Sequence, residues 1–143
     1  MAEKSYADRD VVDKLGIKPG MRIRILGSVP SELVKRVRKV EEVELVEEAD
    51  EAPADVILFE LPDLSDAKAA LARLRKGIVP HGAIWVLTQK KGRPGYVRQD
   101  QLIPLGKAVG LVDNKIAGVD EETSAIRFVI PLAQREKPKG PID

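Results

Sequence analysis

Two spacings of apolar residues alternate along the chain. Short runs that are apolar throughout, or at every second position, are typical of strands, and four of them occur at Met21–Leu26, Val43–Val46, Ala54–Leu61 and Gly82–Thr88. Between them, apolar residues recur every three or four positions, as in helices over residues 31–40, 63–77 and 100–109, with a short one over 8–15. Strands and helices that alternate in this way indicate an α/β fold with a mostly parallel sheet.

The last two strand patterns differ from the others. Leu111–Val119 and Ser124–Leu132 are separated by only four residues, Asp120–Thr123, which is too short for a crossover between parallel strands. The two must form an antiparallel hairpin, and its exposed edge would let a second copy pair with it as a homodimer. Residues 1–132 are therefore expected to form one domain, and the charged, proline-rich residues 133–143 a tail.

Polar residues at the ends of these patterns predict where helices begin. Ser31, Asp63 and Asp100 each precede a helical pattern and are expected to be N-caps. Pro104 would then lie in the first turn of the last helix, where a missing N–H is tolerated. His81 is expected in the turn before a strand, at the end of the sheet away from the ligand edge.

Composition excludes several kinds of site. The 143 residues contain no cysteine and one histidine, which excludes disulfides, thiolate zinc sites, cysteine nucleophiles and multi-histidine metal centres, so no metal is expected. With 24 basic and 23 acidic residues the net charge is +1, and no overall field favours nucleic acid or a membrane. The charged N-terminus and the lack of a long apolar run predict a cytoplasmic protein. Arg22 and Arg24, in the first strand, are expected to be solvated.

Two passages carry a resemblance to a large enzyme class. LGIKPGMRIRILG, residues 15–27, resembles the entry to the first strand of class I methyltransferases, and LRKGIVPHGAIWVL, residues 74–87, resembles their later proline–glycine–strand passage. The order of strands and helices, with a terminal hairpin, is similar as well. The resemblance implies a three-layer Rossmann-like fold in a trimmed form, which lacks about one helix–strand–helix segment between Val46 and Ala54.

A closer resemblance covers nearly the whole chain, from about Leu15 to Ile130. It rests on four features of the second half: Trp85, the pair Lys90-Lys91, the passage Gly110–Lys115 and the strand Ser124–Val129. These resemble a small bacterial family that is known only as a domain of unknown function. One departure is Thr123, where the family usually has tryptophan. The resemblance implies the methyltransferase-like fold but no particular reaction.

The loop after the first strand is where such a fold would bind S-adenosylmethionine. Gly27 and Ser28 provide part of the glycine-rich turn, and Glu47 lies 20 residues after Gly27, at about the spacing of the acid that holds the ribose. Val29 and Pro30 follow at once, and proline has no amide to offer an anion. We therefore expect no cofactor, with S-adenosylmethionine as the alternative.

Glu60 and a basic loop are the other candidates. Glu60 ends an apolar strand at the predicted ligand edge. In an enzyme it would be the general base; otherwise it only marks the exposed end of the strand. The dense basic segment after the fourth strand presents possible anion ligands and one aromatic ring: Lys90, Lys91, Arg93, Arg98 and Tyr96.

Three functions remain open from these residues. The first is a non-catalytic module that binds an anionic ligand or a protein partner through the basic loop. The second is a small-molecule methyltransferase that uses S-adenosylmethionine. The third is a regulatory protein that contacts nucleic acid or the transcription machinery through the same loop, although the net charge makes nucleic acid the weaker prediction.

Overall fold

The computed structural model describes residues 11–46, 52–93 and 96–132. Its strands are β1 (Arg22–Leu26), β2 (Glu44–Val46), β3 (Ala54–Glu60), β4 (Ile78–Gln89), β5 (Val112–Gly118) and β6 (Thr123–Val129). Its α-helices are α1 (Val11–Lys14), α2 (Ser31–Arg38), α3 (Ala67–Arg75) and α4 (Gln99–Ala108). The start of the predicted first helix and the predicted tail, residues 133–143, lie outside the described residues.

The strands form one sheet in the order β2-β1-β3-β4-β6-β5. The strands β1 to β4 are parallel to one another, whereas β6 is antiparallel to both β4 and β5. The predicted α/β class, mostly parallel sheet and antiparallel hairpin are therefore confirmed. Because β1, β3 and β4 are parallel, their carboxyl ends meet at one edge, where open α/β sheets bind ligands.

Two apolar clusters cover the two faces of the sheet. One cluster packs α3 and α4 against one face of the sheet. It includes Leu71 and Leu102 from the helices and Ile57, Ile84 and Phe128 from the strands. The other joins α1 and α2 to the opposite face, through residues that include Val12, Leu33, Ile23, Leu58 and Trp85. Since β3 and β4 contribute to both clusters, their sequences have to be apolar on both faces. This gives the three layers that the sequence predicts.

Trp85 connects the sheet to the first helix. Its side chain is only 1% exposed, and its indole Nε1–H donates a hydrogen bond of 2.9 Å to the carbonyl oxygen of Leu15, just after α1. A buried indole N–H needs such an acceptor. The tryptophan of the family resemblance is therefore a residue of the core.

β4 begins earlier than the apolar pattern indicates. Ile78, which follows the predicted helix, pairs with Ala54, so the strand starts four residues before Gly82. The register shifts between Ala54 and Val56, and a Cβ atom at Gly82 would lie 2.8 Å from the carbonyl oxygen of Asp55. Because of this irregular pairing, the apolar pattern of the sequence does not show where β4 begins. The prediction that His81 lies in a turn is wrong, although it does lie at the amino end of β4, away from the ligand edge.

One of the three predicted N-caps is confirmed. The side chain of Asp63 accepts a hydrogen bond of 3.1 Å from the Ser65 amide at the start of the 3₁₀ turn that leads into α3. Ser31 is instead the first helical residue of α2. Pro30 holds the cap position there without a side-chain hydrogen bond.

The predicted start of α4 is also wrong. Arg98 is the N-cap residue, and Asp100 lies in the first turn, where its carboxylate bonds the Arg98 guanidinium instead of a backbone amide. Pro104 lies inside the helix and not in its first turn. At that position proline removes one intrahelical hydrogen bond.

The two arginines of β1 are less exposed than the alternation predicts. Arg24 is only 9% exposed and donates a 3.3 Å hydrogen bond to the carbonyl oxygen of Ala52. Arg22 is half-buried and forms a 3.5 Å ion pair with Glu44 on β2. The strand order explains both contacts, because β1 lies between β2 and β3 and its arginines reach β2 and the segment that precedes β3.

The hairpin strand β5 is an edge of the sheet, as predicted. Ile116 on this strand is 55% exposed, and the pairing with β6 shifts register between Asp113 and Lys115. Bulges of this kind hinder pairing with another chain. Self-association through β5 stays a prediction. No helix in the described ranges has the length and apolar character needed to cross a membrane.

Candidate functional site at the carboxyl edge of the sheet

The loop after β1 is filled by a side chain of the protein itself. Leu26 pairs with Phe59, which places Glu60 beside Gly27. The Ser28 amide donates a 3.3 Å hydrogen bond to Glu60 Oε1. Three of the sequence candidates, Gly27, Ser28 and Glu60, are therefore brought together, but by an internal contact.

The close contact with Glu60 requires a glycine at position 27. Its φ is +82°, a conformation that residues with a side chain rarely adopt, and a Cβ atom would lie 2.9 Å from the carbonyl oxygen of Glu60 and 3.2 Å from Oε1. Glu60 is the group that approaches the backbone so closely that only glycine fits. The presence of glycine at this position therefore does not by itself indicate a bound ligand.

Gly27→Ala is expected to destabilise the fold more than Gly20→Ala, its matched control. Both glycines have a φ of +82°, but nothing lies within 4 Å of a Cβ at Gly20. We expect about 1–2 kcal/mol from the backbone strain in each variant, and about 1 kcal/mol more in Gly27→Ala, where the exposed loop must shift away from Glu60. Urea unfolding measures both, and equal losses would show that the Glu60 contact has no cost.

These residues do not fit S-adenosylmethionine. The Ser28 amide, a donor that this loop could offer to an anionic part of the cofactor, already bonds Glu60, and the charge of Glu60 repels a carboxylate. Pro30 offers no N–H. Glu47, the predicted ribose acid, lies outside the described residues. The internal contact of Glu60 thus uses a donor of the predicted cofactor loop.

A separate groove lies at the carboxyl end of β4. Its volume is about 480 Å³, within the usual range of ligand sites. It is lined by Thr88, Gln89, Lys90, Lys91, Tyr96, Val97, Gln99 and Ser124. Three of the five predicted ligand residues, Lys90, Lys91 and Tyr96, therefore face one space. Their role in binding stays a prediction.

The polar residues of the groove come from neighbouring elements. Thr88 on β4 pairs with Ser124 on β6, so the two side chains lie on the same face of the sheet. Gln99 begins α4, and Gln89 bridges to Tyr96 across the loop. Sequence reasoning missed these residues because none belongs to a charged cluster. Only the β4–β6 pairing, which the hairpin implies but does not align, brings Thr88 and Ser124 together.

The two arginines of the basic loop are engaged elsewhere. Arg93 forms a 3.0 Å salt bridge with Glu122, and Arg98 bonds Asp100. Asp100 raises the pKa of the Arg98 guanidinium above its ordinary value, first through the hydrogen bond and then through its charge. Neither arginine lines the groove. The predicted set of four cations thus separates into two paired arginines and two groove lysines.

The hairpin turn holds the basic loop in place. The Lys90 amide donates a 2.9 Å hydrogen bond to the carbonyl oxygen of Glu122, whose side chain also pairs with Arg93. Asp120 in turn accepts hydrogen bonds from the amides of Glu122 at 2.8 Å and Thr123 at 2.7 Å. These acids therefore fix the rim of the groove. Within the described ranges, Lys90 and Lys91 form no salt bridge.

The groove and the β1 loop are distinct places on the same edge. β3 lies between β1 and β4, so about 10 Å separates the two strand ends. No group of three or more His, Asp or Glu side chains in the part that the structure describes is arranged to hold a metal ion. The chemistry of the groove is that of two cations, an aromatic ring and neutral hydrogen-bonding groups.

Solved structures with a similar fold include S-adenosylmethionine-dependent methyltransferases. One from Aquifex aeolicus is 12% identical, with a TM-score of 0.63 over 84% of this chain and 88% of that one. The O-methyltransferase NcsB1, solved with S-adenosylmethionine, is 13% identical, with a TM-score of 0.60 over 77% of this chain and 49% of its own. At these identities the likeness establishes the fold alone.

A third similar structure is a complex. It joins the Haloferax volcanii Trm112 methyltransferase activator and a methyltransferase, and its matching chain is 9% identical, with a TM-score of 0.63 over 84% of this chain and 87% of that one. Among curated proteins, none matches the sequence. A family profile described as a protein of unknown function, DUF3052, matches residues 12–132.

Proposed function

Because the chain belongs to the DUF3052 family and has the fold of class I methyltransferases, we propose that it is a binding module derived from that fold. The groove at the end of β4 takes a small anionic ligand, and Lys90 and Lys91 provide the charge. No methyl transfer is involved. The residues proposed as ligands are those that face the groove: Lys90, Lys91, Tyr96, Thr88, Gln89, Gln99 and Ser124.

One observation carries this proposal. The carboxyl edge of the sheet is negatively charged at one position and positively charged at another. Glu60 fills the loop after β1, whereas Lys90 and Lys91 border an open groove. An anion is repelled by the first and attracted by the second. Tyr96, 42% exposed, adds an aromatic surface to the second.

The two alternative functions receive less support from the geometry. A methyltransferase would need Gly27, Ser28 and Glu47 on the cofactor and Glu60 as base, but Glu60 is bonded to Ser28. A nucleic-acid protein would need a row of cations along a phosphate backbone. With Arg93 and Arg98 paired to acids, only two lysines remain in the loop.

The double variant Lys90→Glu/Lys91→Glu is expected to weaken anion binding strongly. Isothermal titration calorimetry with phenyl phosphate and with citrate should show at least a tenfold rise in Kd, because two attractive charges become repulsive. Lys35→Glu/Lys39→Glu, exposed on and next to α2, makes the same change of net charge away from the groove and should leave Kd unchanged.

Two results would contradict the proposal. One is equal loss of affinity in both double variants, which would mean that only overall charge matters. The other is micromolar binding of S-adenosylmethionine to the unchanged protein, retained after charge reversal at Lys90 and Lys91, which would favour the methyltransferase.

A protein partner is the second candidate for the same edge. The observation that favours it is that one similar structure is a complex with a protein activator. An acidic segment of a partner would meet the same two lysines. In that case citrate and phenyl phosphate would fail to bind at millimolar concentration, although a partner from the source cell would bind the unchanged protein and not the Lys90→Glu/Lys91→Glu variant.

A further inference from the structure

A third lysine reaches the end of β5, beside the groove, from the other side of the sheet. Lys14 ends α1 and is half-buried, and its Nζ donates a 3.3 Å hydrogen bond to the carbonyl oxygen of Gly118 at the end of β5. Lys90 approaches the same residue, since a Cβ atom at Gly118 would lie 3.7 Å from Lys90 Nζ. Gly118 pairs with Ser124, which lines the groove. The ammonium groups of two half-buried lysines thus lie against the same residue at the end of β5.

Two of the acids near this strand end have other partners. Asp120 accepts two hydrogen bonds from backbone amides, and Glu122 forms the salt bridge with Arg93. In the described ranges neither Lys14 nor Lys90 has a salt bridge of its own. Like charges that approach the same residue repel each other, and the repulsion grows as their exposure to water falls. A bound anion that carries close to two charges would remove this repulsion.

The number of charges on the ligand can be matched to the two lysines. A planar guanidinium binds carboxylate and phosphate alike through two parallel hydrogen bonds, whereas the compact ammonium of lysine binds either anion as a point charge, so at lysines the charge of the anion decides the fit. Both arginines of the loop are engaged with Glu122 and Asp100, which leaves lysines at the groove. A phosphate monoester carries about −1.5 to −2 charges at pH 7, enough to match Lys14 and Lys90.

The rest of the groove fits the body of an organic ligand. Tyr96 exposes 42% of its surface, and Val97 beside it is buried, so the wall next to the loop is aromatic and apolar. A volume of about 480 Å³ exceeds the need of a free phosphate ion. Resting on the proposed function, we infer that the ligand is a phosphate monoester with a planar ring, its phosphate held by Lys14 and Lys90 and its ring against Tyr96.

Titrations with three small probes test this inference. Phenyl phosphate has both parts, benzoate has the ring with one carboxylate, and inorganic phosphate has no ring. We expect phenyl phosphate to bind at least fivefold more tightly than either of the others. Lys14→Gln should weaken phenyl phosphate about tenfold and benzoate by less than twofold, whereas Lys14→Arg, which keeps the charge, should restore most of the affinity.

Lys18→Gln, an exposed lysine in the turn before β1, is the matched control and should change no Kd. Tyr96→Leu should weaken phenyl phosphate and leave inorganic phosphate unaffected. Thermal unfolding of each variant checks that the fold is kept. If Lys14→Gln does not fold, Lys14→Met serves, because it also removes the charge and keeps an unbranched chain, and it should weaken phenyl phosphate by the same factor.

Failure of this inference differs from failure of the proposed function. Benzoate binding as tightly as phenyl phosphate, or equal effects of Lys14→Gln on both, overturns the phosphate assignment while anion binding at Lys90 and Lys91 stands. If no probe binds, both are overturned. An oligothymidylate that binds more tightly than phenyl phosphate and displaces it overturns the monoester in favour of nucleic acid.

Discussion

Replacement of Trp85 by alanine is expected to lower the free energy of unfolding by about 3–5 kcal/mol, the usual cost of a large cavity in a core. The side chain is 1% exposed and packs in the cluster beneath α1 and α2. Its loss would also leave the carbonyl oxygen of Leu15 without the indole donor at 2.9 Å. Urea unfolding, followed by far-ultraviolet circular dichroism, measures the change.

Trp85→Phe separates the two contributions. It keeps an aromatic ring in the cluster but removes the N–H, so the expected loss is smaller, about 1–3 kcal/mol from the unsatisfied carbonyl of Leu15. If phenylalanine is as costly as alanine, the hydrogen bond is the main contribution. An alanine variant that loses less than about 1 kcal/mol would contradict the buried position of Trp85, since such truncations are rarely cheap in a core.

Gly106→Ala is expected to destabilise the protein by about 3 kcal/mol, the upper part of the range for an overpacked core. In an exposed helix the same change would stabilise by about 1 kcal/mol. Here a Cβ atom would lie 2.3 Å from Phe128 Cε1, and Phe128 is 0% exposed, so its ring has no room to move. The contact between α4 and β6 determines the sign.

The double variant Gly106→Ala/Phe128→Leu tests this contact. The smaller leucine should make room for the new methyl group, so the double variant should be more stable than the sum of the single losses predicts. The midpoints of urea unfolding for the four proteins give the coupling energy. A rise in the midpoint for Gly106→Ala alone would mean that helix propensity outweighs the contact.

Much of the fold follows from short-range patterns in the sequence. The hairpin could be predicted because Asp120–Thr123 is too short for a parallel crossover, and the structure has β5 and β6 antiparallel. The start of β4 could not, because Gly82 and the irregular pairing near Asp55 interrupt the apolar pattern. The cap at Asp100 failed for another local reason, since its carboxylate bonds Arg98.

Less of the candidate site than of the fold could be predicted from the sequence. Lys90 and Lys91 could be placed at the ligand edge because they directly follow a buried strand. The pairing of Arg93 with Glu122, and the approach of Lys14 to Gly118, join residues far apart in the chain. Likewise, the sequence marks Gly27 as part of a cofactor loop, but only the register of β1 against β3 brings Glu60 into that loop.

The most direct test of the groove as the ligand site is a nuclear magnetic resonance titration of the ¹⁵N-labelled protein with phenyl phosphate. We expect the amide signals of residues 88–91, 96–99 and Ser124 to shift together and to saturate at one Kd. The amides of Gly27 and Ser28 should not move. Saturable shifts at Gly27 and Ser28, with the groove amides unchanged, would contradict the assignment and return the ligand to the loop after β1.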